Sequence, residues 1–165
     1  MSVQDAFSHE EWSRIVQSPV MAGFAITAAD PGGLVGAVQE AGAMAGKIGK
    51  SDGAEAPIVA AIKSALQTAE GRGAAQAGVK DLVKGRKPAE AATAAVAQLK
   101  EVMAIVSAKQ PDEAQALAAY LRGISQSVAE AAKEGGFLGF GGKPISDAEH
   151  ATLAEIDAAL SPTGA

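Results

Sequence analysis

The stretch Ser8-His9-Glu10-Glu11-Trp12-Ser13-Arg14-Ile15-Val16-Gln17-Ser18-Pro19-Val20-Met21-Ala22-Gly23-Phe24-Ala25-Ile26-Thr27-Ala28-Ala29 decides the fold class of this chain. Ser8 followed by Glu11 is a capping box: the hydroxyl accepts an orphan first-turn N–H, and the carboxylate reaches back to the cap's own N–H. A helix is therefore predicted to start near His9, with Trp12, Ile15 and Val16 on one face. Ser18-Pro19 fits a cap followed by proline at the first helical position, where the missing N–H costs nothing. A second helix is expected from there, burying Val20, Met21, Phe24, Ala25 and Ala28. Val20 to Ala29 is the longest uncharged apolar run, about half the ~20 residues a bilayer span requires. Asp30-Pro31-Gly32-Gly33 stops it, so it reads as a core helix.

Helix signals recur on both sides of this stretch, with no period-2 alternation of β-branched and polar residues. Leu34, Val38, Ala41, Ala45 and Ile48 form one apolar stripe, which Gly49 to Gly53 ends. Pro57 opens a helix with Ile58, Ile62, Leu66 and Ala69 inward, which Gly71-Arg72-Gly73 loosens or ends; a short helix from Ala74 to Lys84 follows. From Pro88 to Ala108 the stripe is Ala92, Val96, Leu99, Met103 and Val106, and from Pro111 to Lys133 it is Leu117, Leu121, Ile124 and Val128. Ser146 and Glu149 make a second capping box for a last helix carrying Leu153, Ile156 and Leu160. The expectation is an all-α bundle of about six or seven helices, a single domain over 1–160 with a frayed tail at 161–165.

Composition bounds the rest. The chain has 165 residues, 48% apolar but only 4% aromatic. Its large core formers are 12 Val, 9 Ile, 9 Leu and 4 Phe, so alanine supplies much of the apolar content and helices must pack closely. Without cysteine there is no disulfide framework, thiolate zinc site or cysteine nucleophile. The opening Met1-Ser2-Val3-Gln4-Asp5-Ala6-Phe7 lacks the basic and apolar regions of a secretory signal, so a cytoplasmic location is the default expectation. A net charge of −5 argues against broad nucleic-acid binding. Gly71 to Pro88 nevertheless holds Arg72, Lys80, Lys84, Arg86 and Lys87 against Asp81 alone. No aromatic residue interleaves with these cations, and a solvated face is the simpler reading.

One internal match stands out. Ala28-Ala29-Asp30-Pro31-Gly32-Gly33-Leu34-Val35-Gly36 aligns with Ala131-Ala132-Lys133-Glu134-Gly135-Gly136-Phe137-Leu138-Gly139, with Glu40 and Glu149 on the helices that follow. The pattern suggests two related helix-loop-helix units. A helix ending in Ala-Ala-Asp, a glycine turn and a helix with an early glutamate resembles the tellurite-resistance TerB-like domains, which are small bacterial all-helical proteins. The resemblance covers Phe24 to Met44 and Val128 to Leu160. It implies a helical bundle with a stress-related or metal role, and Asp30, Glu40, Glu134, Asp147 and Glu149 as candidate ligands.

Oxygen donors of that kind suit a hard divalent cation. Placement in first turns under the helix macrodipole accounts for Glu40, Asp147 and Glu149 without any ligand, and is the simpler reading. Neither His9 nor His150 has a glutamate three residues before it, which rules out a ferritin-like di-iron site. No Gly-x-Ser-x-Gly elbow is present. The loop Gly135 to Gly142 is not a P-loop, because Gly142-Lys143 is followed by Pro144 and no strand precedes it. Its Phe137, Leu138 and Phe140 either form an apolar finger that inserts into a partner or lipid surface, or fold back to plug a thin core. Together these readings lead to a non-enzymatic interaction protein that binds a protein partner or self-associates, without nucleic acid or a transmembrane segment. No cofactor is expected, a divalent cation being the candidate ligand. A surface-active protein of the phasin kind, coating lipid or polymer granules, is the alternative; peripheral membrane contact belongs to that reading. A carboxylate metal-binding protein comes third.

Overall fold

The computed structural model describes residues 2–29, 55–134 and 146–161, with side chains outside the description at 131–134. Among the described residues a 3-10 turn at Val3–Ala6 leads into six α-helices: α1 (His9–Ala29), α2 (Pro57–Gln67), α3 (Ala69–Val83), α4 (Pro88–Lys109), α5 (Pro111–Glu134) and α6 (Asp147–Ala159). No strand occurs among the described residues. The fold is all-α, and one apolar core runs from Phe7 to Leu160. The stripe Leu34 to Ile48 and the glycine turns of both repeat copies lie outside the described residues; the helices before those turns end at Ala29 and Glu134.

Helix α1 is the hub. Every residue from Ser18 to Ile26 is buried, and α1 packs against all five of the other described helices, most extensively against α4. A helix that is apolar all round belongs inside a bundle. The expected break at Ser18-Pro19 does not occur: Pro19 lies within one 21-residue helix. Proline removes the N–H that would bond the carbonyl four residues back, here that of Ile15. The Ser18 hydroxyl, fully buried, donates to that same oxygen at 2.7 Å. The local pair is thus compatible with helix continuation, and burial on every side favours it.

The expected start at Ser8 holds: its N–H donates to Glu11 Oε2 at 2.7 Å, and Glu11 N–H donates to Ser8 Oγ at 3.2 Å. Trp12, stacked on Phe7 at 6.2 Å between ring centroids, seals that end. Pro57 does open α2, and Ile58, Ile62 and Leu66 are buried. The break after α2 falls at Thr68, not at Gly71-Arg72-Gly73, and α3 starts at Ala69, so Ala69 is exposed and not part of the α2 stripe. Thr68 accepts from Gly71 N–H at 3.0 Å and donates to Ala65 O at 2.7 Å, joining the two helices through one hydroxyl. Gly71 is there for space, since a Cβ on it would lie 2.1 Å from the Ala65 carbonyl oxygen.

The two long helices follow their stripes: Ala92, Leu99, Met103 and Val106 of α4, and Leu117, Leu121, Ile124 and Val128 of α5, are buried, while Val96 is half-buried. The Ser146–Glu149 box opens α6, with Ser146 N–H donating to Glu149 Oε2 at 2.7 Å and Glu149 N–H to Ser146 Oγ at 3.2 Å. Ion pairs fasten the outside: Arg14 to Glu101, Lys109 to Glu11 and Arg122 to Asp157. By length and composition α4 alone among the described helices could cross a membrane, but it carries Lys100-Glu101 mid-helix and lays its buried stripe in the core. No clear transmembrane segment results among the described residues.

Candidate functional site

An open groove of about 660 Å³ runs between α1, α3 and α4. Its lining includes four small residues, Ala77 and Gly78 of α3 with Ala94 and Ala97 of α4. Gly78 also lets α3 approach α1, because a Cβ there would meet Gln17 Oε1 at 2.8 Å and Met21 Cε at 2.9 Å. Within the groove, Gln98 Nε2 donates to Gln17 Oε1 at 3.0 Å, and this bond ties α4 to α1. The rim is charged: Arg14 bridges Glu10 at 3.0 Å and Glu101 at 2.9 Å, while Asp81 and Arg86 stand at the α3 end. His9 lies at the α1 end, exposed.

A second polar cluster sits where α2 meets α5. Lys63 is buried, paired with Glu55, and holds its ammonium 5.5 Å from the centre of the Tyr120 ring. Glu113 of α5 accepts the Ile58 N–H at 2.9 Å, supplying the N-terminal cap that Ala56 cannot. The Tyr120 hydroxyl is buried without a hydrogen-bond partner among the described residues. Burial first, and then the nearby Glu55 charge, hold that phenol well above its usual range. These groups anchor α2 to α5.

The basic run between Gly71 and Pro88 is partly consumed by helix ends. Arg72 donates to the carbonyl of Gln67, the last residue of α2, and Arg86 donates to the carbonyls of Asp81 and Leu82 at 3.0 and 3.1 Å near the end of α3. Cations at helix C-termini are favoured by the macrodipole. Lys80, Lys84 and Lys87 are exposed, as expected for a solvated face.

Of the residues singled out from the sequence, Asp30, Glu40, Phe137, Leu138 and Phe140 lie outside the described residues, and so does the side chain of Glu134 at the end of α5. Asp147 is exposed in the first turn of α6; Glu149 is buried with a carboxylate oxygen committed to its own cap. Among the described residues no three His, Asp or Glu side chains converge to hold a metal ion. The groove residues Gln17, Gly78 and Gln98 went unnoticed in the sequence because they come from three distant segments and each is ordinary in its own helix. No family model, curated protein or solved structure matches this chain.

Proposed function

We propose that the chain is a non-catalytic helical binding module whose protein partner docks in the groove between α1, α3 and α4. The observation that carries this reading is the combination of an open groove lined by small residues with side chains along it that already contact one another, Gln17 with Gln98 and Arg14 with Glu10 and Glu101. A rim held in place before docking lowers the ordering cost of association. A stress-linked, cytoplasmic, TerB-like role is part of the same proposal and rests on the Ala-Ala, Gly-Gly, Glu pattern of the two repeat copies. Phe137, Leu138 and Phe140 remain the proposed second contact, through the glycine loop.

The test is a differential capture. Ala77 is exposed and lines the groove, so Ala77→Trp puts a large ring into it while leaving the core untouched. A partner retained by the wild-type protein and lost by an Ala77→Trp variant of equal melting temperature supports the reading; a partner retained equally by both overturns it.

The surface-active alternative has one observation in its favour: only 39% of the most apolar window of α4 is buried. It also requires exposed leucine and valine stripes, and Leu99, Leu117 and Leu121 are fully buried. Failure to co-sediment with liposomes would remove it. The metal proposal, on Asp30, Glu40, Glu134, Asp147 and Glu149, is tested by melting the protein with calcium, magnesium, manganese or zinc, where a bound cation raises the transition temperature.

A further inference from the structure

We infer that the cations around the α3–α4 turn form a second docking surface, one that takes an acidic protein segment running its carboxylates past Lys80, Lys84 and Lys87. Of these cations only Arg86 also lines the groove, so the inference stands whether or not the groove takes a partner. Gly85, at a φ of 71°, turns the chain sharply between the two helices, and the Arg86 N–H donates to the Val83 carbonyl at 3.2 Å. The turn thereby gathers Lys84, Arg86 and Lys87 at the end of α3, one helical turn beyond Lys80. All four are exposed, and none pairs with a carboxylate among the described residues. Elsewhere in the described chain Arg14, Lys63, Lys109 and Arg122 each pair with Asp or Glu, and Lys100 alone does not. Arg86 donates to the carbonyls of Asp81 and Leu82, which hold the guanidinium without cancelling its charge.

Helix ends explain only part of this cluster. Lys80, Lys84 and Arg86 lie at the C-terminal end of α3, where the macrodipole stabilises a cation. Lys87 is the N-cap of α4, where the macrodipole opposes one, and Glu90 accepts the Lys87 backbone N–H at 2.8 Å without pairing with its ammonium. Charge then decides the kind of partner. Five cations against Asp81 alone give the run from Gly71 to Pro88 a charge of +4, and with −5 for the whole chain the remainder carries −9. At physiological ionic strength fields fade over about 8 Å. A narrow acidic segment laid on the lysines is therefore governed by them, whereas an extended anionic surface such as a bilayer meets the acidic remainder as well. The run offers no aromatic platform for bases and no exposed large apolar side chain to enter a membrane.

The experiment uses the full chain and two short fluorescein-labelled peptides, one of alternating glutamate and glycine and one of alternating serine and glycine, followed by anisotropy from low to physiological ionic strength. The expected result is binding of the glutamate peptide alone, weakening as salt rises. At about threefold per exposed pair, Lys80→Gln/Lys84→Gln/Lys87→Gln should weaken it about 30-fold. Asp81→Asn, which removes the one carboxylate of the run, should strengthen it about threefold. Lys100→Gln, on an exposed lysine outside the cluster, should change nothing. The substituted side chains are exposed, so melting temperatures should match the wild type. Equal binding of the glutamate peptide to wild type and the triple variant overturns the inference, and so does equal binding of both peptides or of neither. Sedimentation with phosphatidylserine vesicles that the triple variant loses, without binding of the glutamate peptide, would give the surface to a membrane and overturn the inference too.

Discussion

Helices α1 and α3 face each other across the groove and are built on opposite principles. Helix α1 buries every residue from Ser18 to Ile26 and absorbs a proline in its middle; α3 buries only Gly71, Ala75, Val79 and Leu82 and carries three glycines. In α1 the residue that looks like a breaker is neutralised by a buried hydroxyl bond. In α3 the glycines differ from one another: Gly71 is pressed on a carbonyl, Gly78 on a side chain, and Gly73 on nothing within 4 Å. A helix breaker in the sequence therefore has no fixed meaning until its neighbours in space are known.

The sharpest way to break this comparison is Gly71→Ala. Its new Cβ would sit 2.1 Å from the backbone oxygen of Ala65, which cannot swing aside as a side chain can. The loss should reach about 3 kcal/mol, the upper part of the range for overpacking, read from the urea midpoint. Ser18→Ala comes next, at about 2 kcal/mol, because it leaves the buried Ile15 carbonyl without a donor. The double variant Ser18→Ala/Pro19→Ala should recover most of that loss, since the new N–H reaches the same oxygen; no recovery would disprove the pairing of hydroxyl and orphaned carbonyl. Gly73→Ala should act in the opposite direction to Gly71→Ala, raising stability by about 1 kcal/mol through helix propensity alone. Equal signs for the two glycine variants would collapse the distinction drawn within α3.

The smallest effect concerns the entry to α1. Glu11 accepts from both the Lys109 ammonium and the Ser8 N–H, and these two bonds, in that order, lower its carboxyl below the ordinary 4.5. A carboxyl depressed by folding stabilises the native state above its unfolded value and loses that contribution as pH falls through the lower folded value. The melting temperature, followed by fluorescence of Trp12, the single tryptophan, should therefore fall as pH drops below about 4.5, and Glu11→Gln should flatten that part of the profile. An unchanged slope in Glu11→Gln would show that the Lys109 pair contributes nothing.

Much of the fold was legible because its signals are local. Ser8 with Glu11 and Ser146 with Glu149 satisfy helix ends within three residues, and the stripes of Leu99, Met103 and Val106 or Leu117, Leu121 and Val128 follow the helical repeat. The groove was not legible. Gln17 and Gln98 bond across 81 positions of sequence, and neither carries a spacing signal pointing to the other. Arg72 and Arg86 looked like part of a basic patch, whereas their positions at two helix ends engage them with carbonyls.

By itself, then, the sequence determined the all-α class, the capped starts at Ser8 and Ser146, the proline starts at Pro57, Pro88 and Pro111, and which faces of the long helices turn inward. These depend on hydrogen bonds and periodicities spanning a few residues. Only the tertiary structure decided that α1 continues through Pro19, that the break after α2 lies at Thr68, and that small residues of α3 and α4 line a groove beside α1. Each of those outcomes turns on what surrounds a residue in space. A proline is tolerated where its orphaned carbonyl finds a donor and the helix is buried on all sides, and a glycine is required only where another backbone comes too close for a Cβ.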